Sequence, residues 1–391
     1  MKVPLLDLQA QLEYLLEDIF EAIQRVVLST RYIQGPEVEA FEREIADYSG
    51  TEYGVGVSSG TDALLISLMS LDIGPGDRVL TTPYSFFATM GVILRVGAEP
   101  VFADINPVSY NIDPAKMEEI LAADTEKTIK AVIPVHLYGQ CADMTSIMRI
   151  SREYGVPVIE DAAQAIGADC PVESNGKIEY GRAGSMGLAG CFSFFPSKNL
   201  GGMGDGGMVV TSDKAFAEKL ALMRNHGAKP KYYHKMVGGN FRLDPIQAAV
   251  LRVKLPYLDR WHNWRYENGG VYNRLFAKSG LLDSGKVTTP QIIYGDTPGA
   301  DGHHPHIFNQ YILRVERRDE LRIWLQKNDI GCEIYYPVPL HKQECLGESA
   351  LNIHCPEAEK AANETIALPI YSELTEEMQT HVVDKMVEFY S

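Results

Sequence analysis

The sequence predicts an α/β fold: a large domain on a mostly parallel seven-stranded sheet, followed by a smaller C-terminal α+β domain. Three observations lead there. Seven short β-rich runs, Tyr53 to Val57, Arg78 to Thr82, Pro100 to Ala103, Ala131 to Val135, Pro157 to Ile159, Cys191 to Phe194 and Met208 to Thr211, punctuate the first two-thirds of the chain. Between them lie segments with apolar residues three and four apart, such as Ala63 to Leu71, Met144 to Tyr154 and Ala215 to Arg224. Strands alternating with helices build a parallel sheet covered on both faces. The length, 391 residues, exceeds what a single core supports, so two domains are expected.

Ahead of the first strand, Leu12 to Leu28 reads as a helix that packs across both domains. After the helical stretch Pro245 to Leu258 the pattern loosens, with Trp261 and Trp264 followed by a region rich in Gly, Pro and His up to Pro305. The boundary is therefore placed between a first unit, 1–256, and a second, 257–391. In the second, Phe308 to Val315 and Cys332 to Tyr335 read as strands, and Asp319 to Asn328, Glu357 to Ala367 and Thr375 to Phe389 as helices.

Composition excludes several classes. With 45% hydrophobic and 23% charged residues and 34 glycines, the chain reads as an ordinary globular protein without repeats or low-complexity tracts. A net charge of -16 disfavours nucleic acid or anionic lipid as partners, because both need clustered Lys and Arg. The N-terminus lacks the apolar core and cleavage site of a signal peptide, and no run approaches a membrane span. Six cysteines, far apart and without a CxxC pair, fit reduced thiols, so a cytoplasmic protein is expected.

Four segments carry candidate chemistry. Ser193-Phe194-Phe195-Pro196-Ser197-Lys198 puts one lysine between a strand and the glycines 201 and 202, where its amine can reach a carbonyl cofactor. Ser59-Gly60-Thr61-Asp62 follows a strand and opens a helix, a natural phosphate cup, although the same residues would serve as helix caps. Asp161 ends a buried strand, where a carboxylate either caps or pairs with a protonated pyridine nitrogen, and Gln164 follows within reach of a phenolic oxygen. Thr82 to Thr89 brings Phe86, either a core residue or a ring that stacks on a planar cofactor. Together these are the parts of a pyridoxal-phosphate site, in the order Gly60, Phe86, Asp161, Lys198. Gly202 to Gly207 matches GxGxxG but precedes a strand, so it is not read as a dinucleotide site. His303, His304 and His306 find no Cys or carboxylate at ligand spacing, and no metal is assigned.

With these motifs, and with Tyr32-Ile33-Gln34-Gly35-Pro36, His136-Leu137-Tyr138-Gly139-Gln140, Gly239-Asn240-Phe241-Arg242 and Tyr336-Pro337-Val338-Pro339-Leu340-His341, the chain resembles the DegT family of pyridoxal-phosphate-dependent nucleotide-sugar aminotransferases, of the aspartate aminotransferase fold type I. The resemblance runs nearly end to end. It implies that Lys198 is the Schiff-base lysine, that Asp161 pairs with the pyridine nitrogen, that Phe86 stacks on the ring and that Gln164 lies near its phenolic oxygen. It further implies that Gly60, Thr61 and Ser193 hold the phosphate, and that Asn240 reaches the phosphate of a neighbouring subunit, completing shared sites in a homodimer. Thr30, Tyr32, Ser197, Arg242, Tyr335, Tyr336 and His341 match positions lining the nucleotide-sugar cleft, with Tyr335 standing where relatives often carry His.

The implied reaction moves an amine from L-glutamate, giving 2-oxoglutarate, to a nucleotide-linked keto-sugar. Members that remove a hydroxyl replace the lysine by His, so Lys198 favours transamination. The segment from His136 to Met144 looks more like members acting at carbon 3, so a UDP- or dTDP-linked 3-keto sugar is expected. Amination at carbon 4 and a non-catalytic regulator on the same fold are the alternatives.

Overall fold

β-branched and apolar runs flanked by Gly, Pro and Asp become buried central strands here because helices cover both faces. The computed structural model describes residues 1–174, 176–295, 303–350 and 352–391. Its first nine strands are β1 (Tyr53–Val57), β2 (Arg78–Thr81), β3 (Glu99–Phe102), β4 (Ile129–Ile133), β5 (Ile159–Asp161), β6 (Asp169–Ser174), β7 (Lys177–Arg182), β8 (Ala189–Ser193) and β9 (Gly207–Thr211). β6 and β7 form a separate antiparallel hairpin that the sequence reading missed. The other seven correspond to the seven predicted runs.

Those seven pair in two ladders, β1-β9-β8-β5 and β4-β2-β3. Beyond the regular strands, Val132 N donates to Pro157 O (2.9 Å), Asp161 N to Pro134 O (2.9 Å) and His136 N to Asp161 O (3.0 Å), which joins β4 to β5 in parallel. Only β9 runs against its neighbours. This polarity positions the site. Six strands point their C-terminal ends at one edge, and the antiparallel β9 begins there. The residues after β1, β2, β5 and β8 therefore meet, although up to 138 positions separate Gly60 from Lys198.

A second core gathers around β10 (Val287–Thr288), β11 (Tyr311–Val315) and β12 (Thr365–Leu368), an antiparallel sheet backed by the helices Arg318–Lys327 and Glu376–Tyr390. The first part of the loose region expected after residue 258 is instead the 22-residue helix Leu258–Ser279; the part at 296–302 lies outside the described residues. Its first turn buries Leu258 and Trp261 in the large core, while Tyr272 and Phe276 pack in the second. The chain thus crosses between the cores along a helix. Asn268-Gly269-Gly270 hides this helix in the sequence, and the structure shows a use for one glycine: a Cβ on Gly269 would come 2.7 Å from the Phe308 ring.

Three further expectations are corrected. Leu12 to Leu28 is two helices, Leu8–Glu13 and Leu16–Ser29; Leu15, Ile19, Ala22 and Val26 pack in the large unit's clusters, while Tyr14 between the helices donates to Glu373 Oε1 (3.1 Å) and accepts from Trp261 Nε1 (2.6 Å) of the second unit, and Val3 and Leu6 reach the second core. Cys332 to Tyr335 is not a strand; it makes one isolated bridge, Glu333 to Ala367, and its residues turn to the cleft described below. The helix expected over Glu357 to Ala367 stops at Glu364, because Thr365–Leu368 pairs with β11. Among the described residues no helix is long and apolar enough to cross a membrane.

Candidate active site

At the common strand edge opens a cleft of about 730 Å³, lined by Gly60, Thr61, Phe86, Asp161, Gln164, Ser193, Ser197, Lys198, Tyr335 and Tyr336 among others. Each side chain owes its place to local structure. Ser59 caps the helix Gly60–Ser70, its Oγ accepting from Asp62 N (3.1 Å), so the first amides of that helix face the cleft mouth with the positive end of the helix dipole. Glycine is required at position 60 because a Cβ there would lie 2.6 Å from that of Ser193. The end of β8 and the helix start consequently close into one cup.

Lys198 sits in a turn closed by its own N–H donating to Phe195 O (2.8 Å). The following loop is pinned from two sides, by Asn199 Nδ2 donating to Ile307 O (3.1 Å) and by the buried Lys254 Nζ donating to Gly201 O (2.6 Å). Burial pushes the Lys198 amine down to about 8, against the opposing charge of Asp161. A substantial neutral fraction near physiological pH makes it a nucleophile and a base.

Asp161 is 5% exposed. Its Oδ2 accepts from Thr89 Oγ1 (2.8 Å), which is also paired with Ser85 Oγ (2.9 Å), and its Oδ1 accepts from Ala163 N (3.3 Å). Among the described residues none of its hydrogen-bond partners is a cation, and burial raises its pKa in spite of these bonds and of the nearby Lys198 and His136. A buried carboxylate in this state is completed by a cationic N–H. Gln164 is held on both ends, Oε1 accepting from Tyr138 N (2.7 Å) and Nε2 donating to Tyr336 Oη (3.0 Å), with one amide hydrogen left over. Phe86 is 57% exposed and its ring lies 6.2 Å from that of Tyr336 at the cleft wall, an aromatic surface with a free face. Thr89 and Ser85 escaped the sequence reading as site residues; only the fold shows that the helix Ala88–Arg95 brings Thr89 to Asp161, with Ser85 bonded to Thr89.

The other predicted residues lie outside this cleft. Arg242 lines an adjoining groove that shares Ser59, Thr61 and Asp205 with it, and its Nη1 donates to Asn225 Oδ1 (2.8 Å). Asn240, Thr30 and Tyr32 are exposed, Tyr32 Oη donating to Val27 O (3.0 Å). His341 is corrected: its side chain is fully buried, hydrogen-bonded through Nε2 to Glu359 Oε1 (3.0 Å), and it has no face on the cleft. The position was inferred from a motif whose prolines 337 and 339 turn the chain away before it.

A helix-terminus cup, an unpaired buried carboxylate, an exposed aromatic face and a lysine of depressed pKa match the phosphate, the pyridinium nitrogen, the ring and the aldehyde of pyridoxal phosphate, so the residues present fit that cofactor. With a seven-stranded sheet of this polarity they define a pyridoxal-phosphate-dependent enzyme. The chain belongs to the DegT/DnrJ/EryC1/StrS aminotransferase family, whose model matches residues 13–387, and it is a pyridoxal-phosphate-dependent aminotransferase.

It is 48% identical, over 100% of the chain and 99% of the relative, to a protein of Geobacillus stearothermophilus named pleiotropic regulatory protein. It is 41% identical, over 96% of the chain and 94% of the relative, to a UDP-N-acetyl-3-dehydro-alpha-D-glucosamine 3-aminotransferase of Acidithiobacillus ferrooxidans. Among solved structures it resembles DesV of S. venezuelae in complex with a ketimine intermediate, with a TM-score of 0.87 and 38% identity, covering 99% of this chain and 98% of that one.

Proposed function

We propose that this aminotransferase converts a nucleotide-linked 3-keto sugar, carried on UDP or dTDP, to the 3-amino sugar, with L-glutamate as donor and 2-oxoglutarate as the other product. The observation that carries the catalytic part is the shared cleft of Lys198 and Asp161, in which each charge acts on the other's protonation. The 3-aminotransferase relative supports the choice of carbon and of a nucleotide-linked substrate.

Gly60, Thr61 and Ser193 would hold the cofactor phosphate, Phe86 the ring face, Gln164 the phenolic oxygen and Asp161 the ring nitrogen. Bound there, the cofactor supplies an aldehyde that condenses with amines and a ring that takes up the electrons of a broken C–H bond. Asp161 keeps the ring nitrogen protonated. Lys198 Nζ takes the proton from the α-carbon of glutamate in the first half-reaction, and in the second delivers one to the sugar carbon that receives the amine. Ser197, Tyr335 and Tyr336 offer hydroxyls to the sugar. Arg242, on the neighbouring groove, supplies a planar fork for the diphosphate.

Among the described residues lining the cleft, Lys198 is the only cation, yet the site must hold a phosphate, a diphosphate and a dicarboxylic donor. We therefore read the working unit as a homodimer, in which Asn240, Thr30 and Tyr32 reach the cleft of a second copy. Exposed apolar side chains beside those residues support this: Leu28 (76%), Ile33, Tyr232, Tyr233 and Val237 (86%) are costly to leave in water as a group. The deciding experiment offers UDP-, dTDP- and GDP-linked keto-sugars with glutamate and identifies products by mass and NMR. A 3-amino sugar with stoichiometric 2-oxoglutarate is expected. Turnover only of a 4-keto sugar would contradict the choice of carbon, and a cofactor-loaded protein that turns over none would favour a regulatory role.

A further inference from the structure

The fold brings one of the three histidines after residue 302, His304, to a carboxylate and an imidazole more than forty positions away in the sequence. Asp259 and His262 stand at the start of the helix Leu258–Ser279, and His304 packs across from them. Asp259 Oδ1 lies 3.6 Å from His304 Nε2 and 4.0 Å from His262 Nδ1, and one ligand atom from each of the three falls within 4.8 Å of the others. The imidazoles meet edge to face at 5.2 Å. The cluster is separate from the cofactor cleft, and none of its members lines that cleft.

A second observation is independent of this spacing. His262 is fully buried, and neither of its ring nitrogens has a hydrogen-bond partner among the described residues. A buried imidazole left in this way forfeits the hydration of both nitrogens, and native proteins rarely tolerate that without a bound water or ion. Asp259 Oδ1 accepts from Tyr48 Oη (2.6 Å), and its side chain is 57% exposed, which gives an entry path. The nearby guanidinium of Arg182 is already paired with Asp169 (3.1 Å).

We propose that Asp259, His262 and His304 bind a first-row divalent transition metal ion. Two imidazoles and one carboxylate suit such an ion, with water filling the remaining position. Ligand atoms around tetrahedral zinc sit about 3.3 Å apart, from bond lengths of about 2.0 to 2.2 Å, so the trio has to close by up to about 1.5 Å. The exposed Asp259 side chain is the member with room to make that movement.

The ion would tie the helix that crosses between the cores to the segment His304–Asn309. That segment accepts from Asn199 through Ile307 O and donates to Asn199 Oδ1 through Asn309 Nδ2 (2.8 Å), next to Lys198. The site is structural on this account and takes no part in the chemistry.

The test uses the cofactor-loaded protein, stripped of metal with a chelator, desalted and titrated with zinc against a chromophoric competitor. One zinc per chain is expected, with a rise in the melting temperature. Asp259→Asn and His304→Gln should each weaken binding by about tenfold to a hundredfold or more while leaving the cofactor's visible absorption in place. X-ray absorption of the zinc-loaded wild-type protein does not depend on how the variants fold, and it should show two imidazoles and no sulfur. A protein that binds no zinc, variants that bind it as tightly as the parent, or a sulfur ligand would overturn the proposal.

Discussion

The half of the site that faces the cofactor and the half that faces the nucleotide-sugar are built on different terms. From Gly60 to Lys198, the cofactor half comes from strand ends of one sheet within one chain, and its groups are buried and constrained by backbone bonds. Of the residues matched to the sugar half, Ser197, Tyr335 and Tyr336 share the cleft, Arg242 lies in the next groove, and Thr30 and Tyr32 are on open surface. A sheet edge is rigid enough to present a cofactor from one chain. On the proposed reading, recognition of a long anionic substrate is left to side chains that gain their context only beside a second copy of the chain.

The largest effects should come from the cofactor half. Lys198→Ala should lower turnover by at least about 10^4-fold, read as 2-oxoglutarate release, and abolish the visible Schiff-base absorption. Asp161→Asn should cost about 10^2- to 10^3-fold in kcat, since it removes the charge that keeps the ring nitrogen protonated. If either variant behaves like the parent, the division between the halves is wrong.

Arg242→Ala tests the other half. It should raise KM for the nucleotide-sugar about tenfold, the value of one charge-assisted contact, with kcat little changed. A loss confined to kcat would move Arg242 to the reacting centre. Asn240→Ala should have the smallest effect, a few-fold faster loss of cofactor on dialysis, and a fully active monomer in the ultracentrifuge would refute the shared site.

The pH dependence sharpens the electrostatic side of the comparison. Because burial lowers the Lys198 amine to about 8 from its ordinary value near 10.5, capture of pyridoxal phosphate by the apoprotein should rise with pH through about 8 and level off above it. Asp161 raises the Lys198 value, so Asp161→Asn should move that inflection to lower pH. An inflection close to the value of a free lysine would mean that the amine is solvated.

The cofactor half was legible in the sequence because its groups follow strands, and a parallel sheet gathers such positions automatically. Every large-sheet strand was found within about two residues, since buried β-rich runs declare themselves. What stayed hidden was contact between distant, individually ordinary residues. The hairpin β6–β7 has Lys177, Ile178 and Glu179 exposed, and its short strands lack the buried apolar run that marks the strands of the large sheet. The helix Leu258–Ser279 carries polar and glycine residues that only packing against Phe308 and the two cores explains. His341 failed for the converse reason: a local motif fixed its neighbourhood but not the direction of its side chain, which the buried contact with Glu359 sets.

The central claim is that one amine, that of Lys198, holds the cofactor. Reduction of the resting protein with borohydride, followed by proteolysis and mass mapping, tests it most directly. The account predicts a single pyridoxyl group on Lys198, in the peptide carrying Ser193 to Gly201. A pyridoxyl group on Lys254 or any other lysine, or none at all, would contradict it.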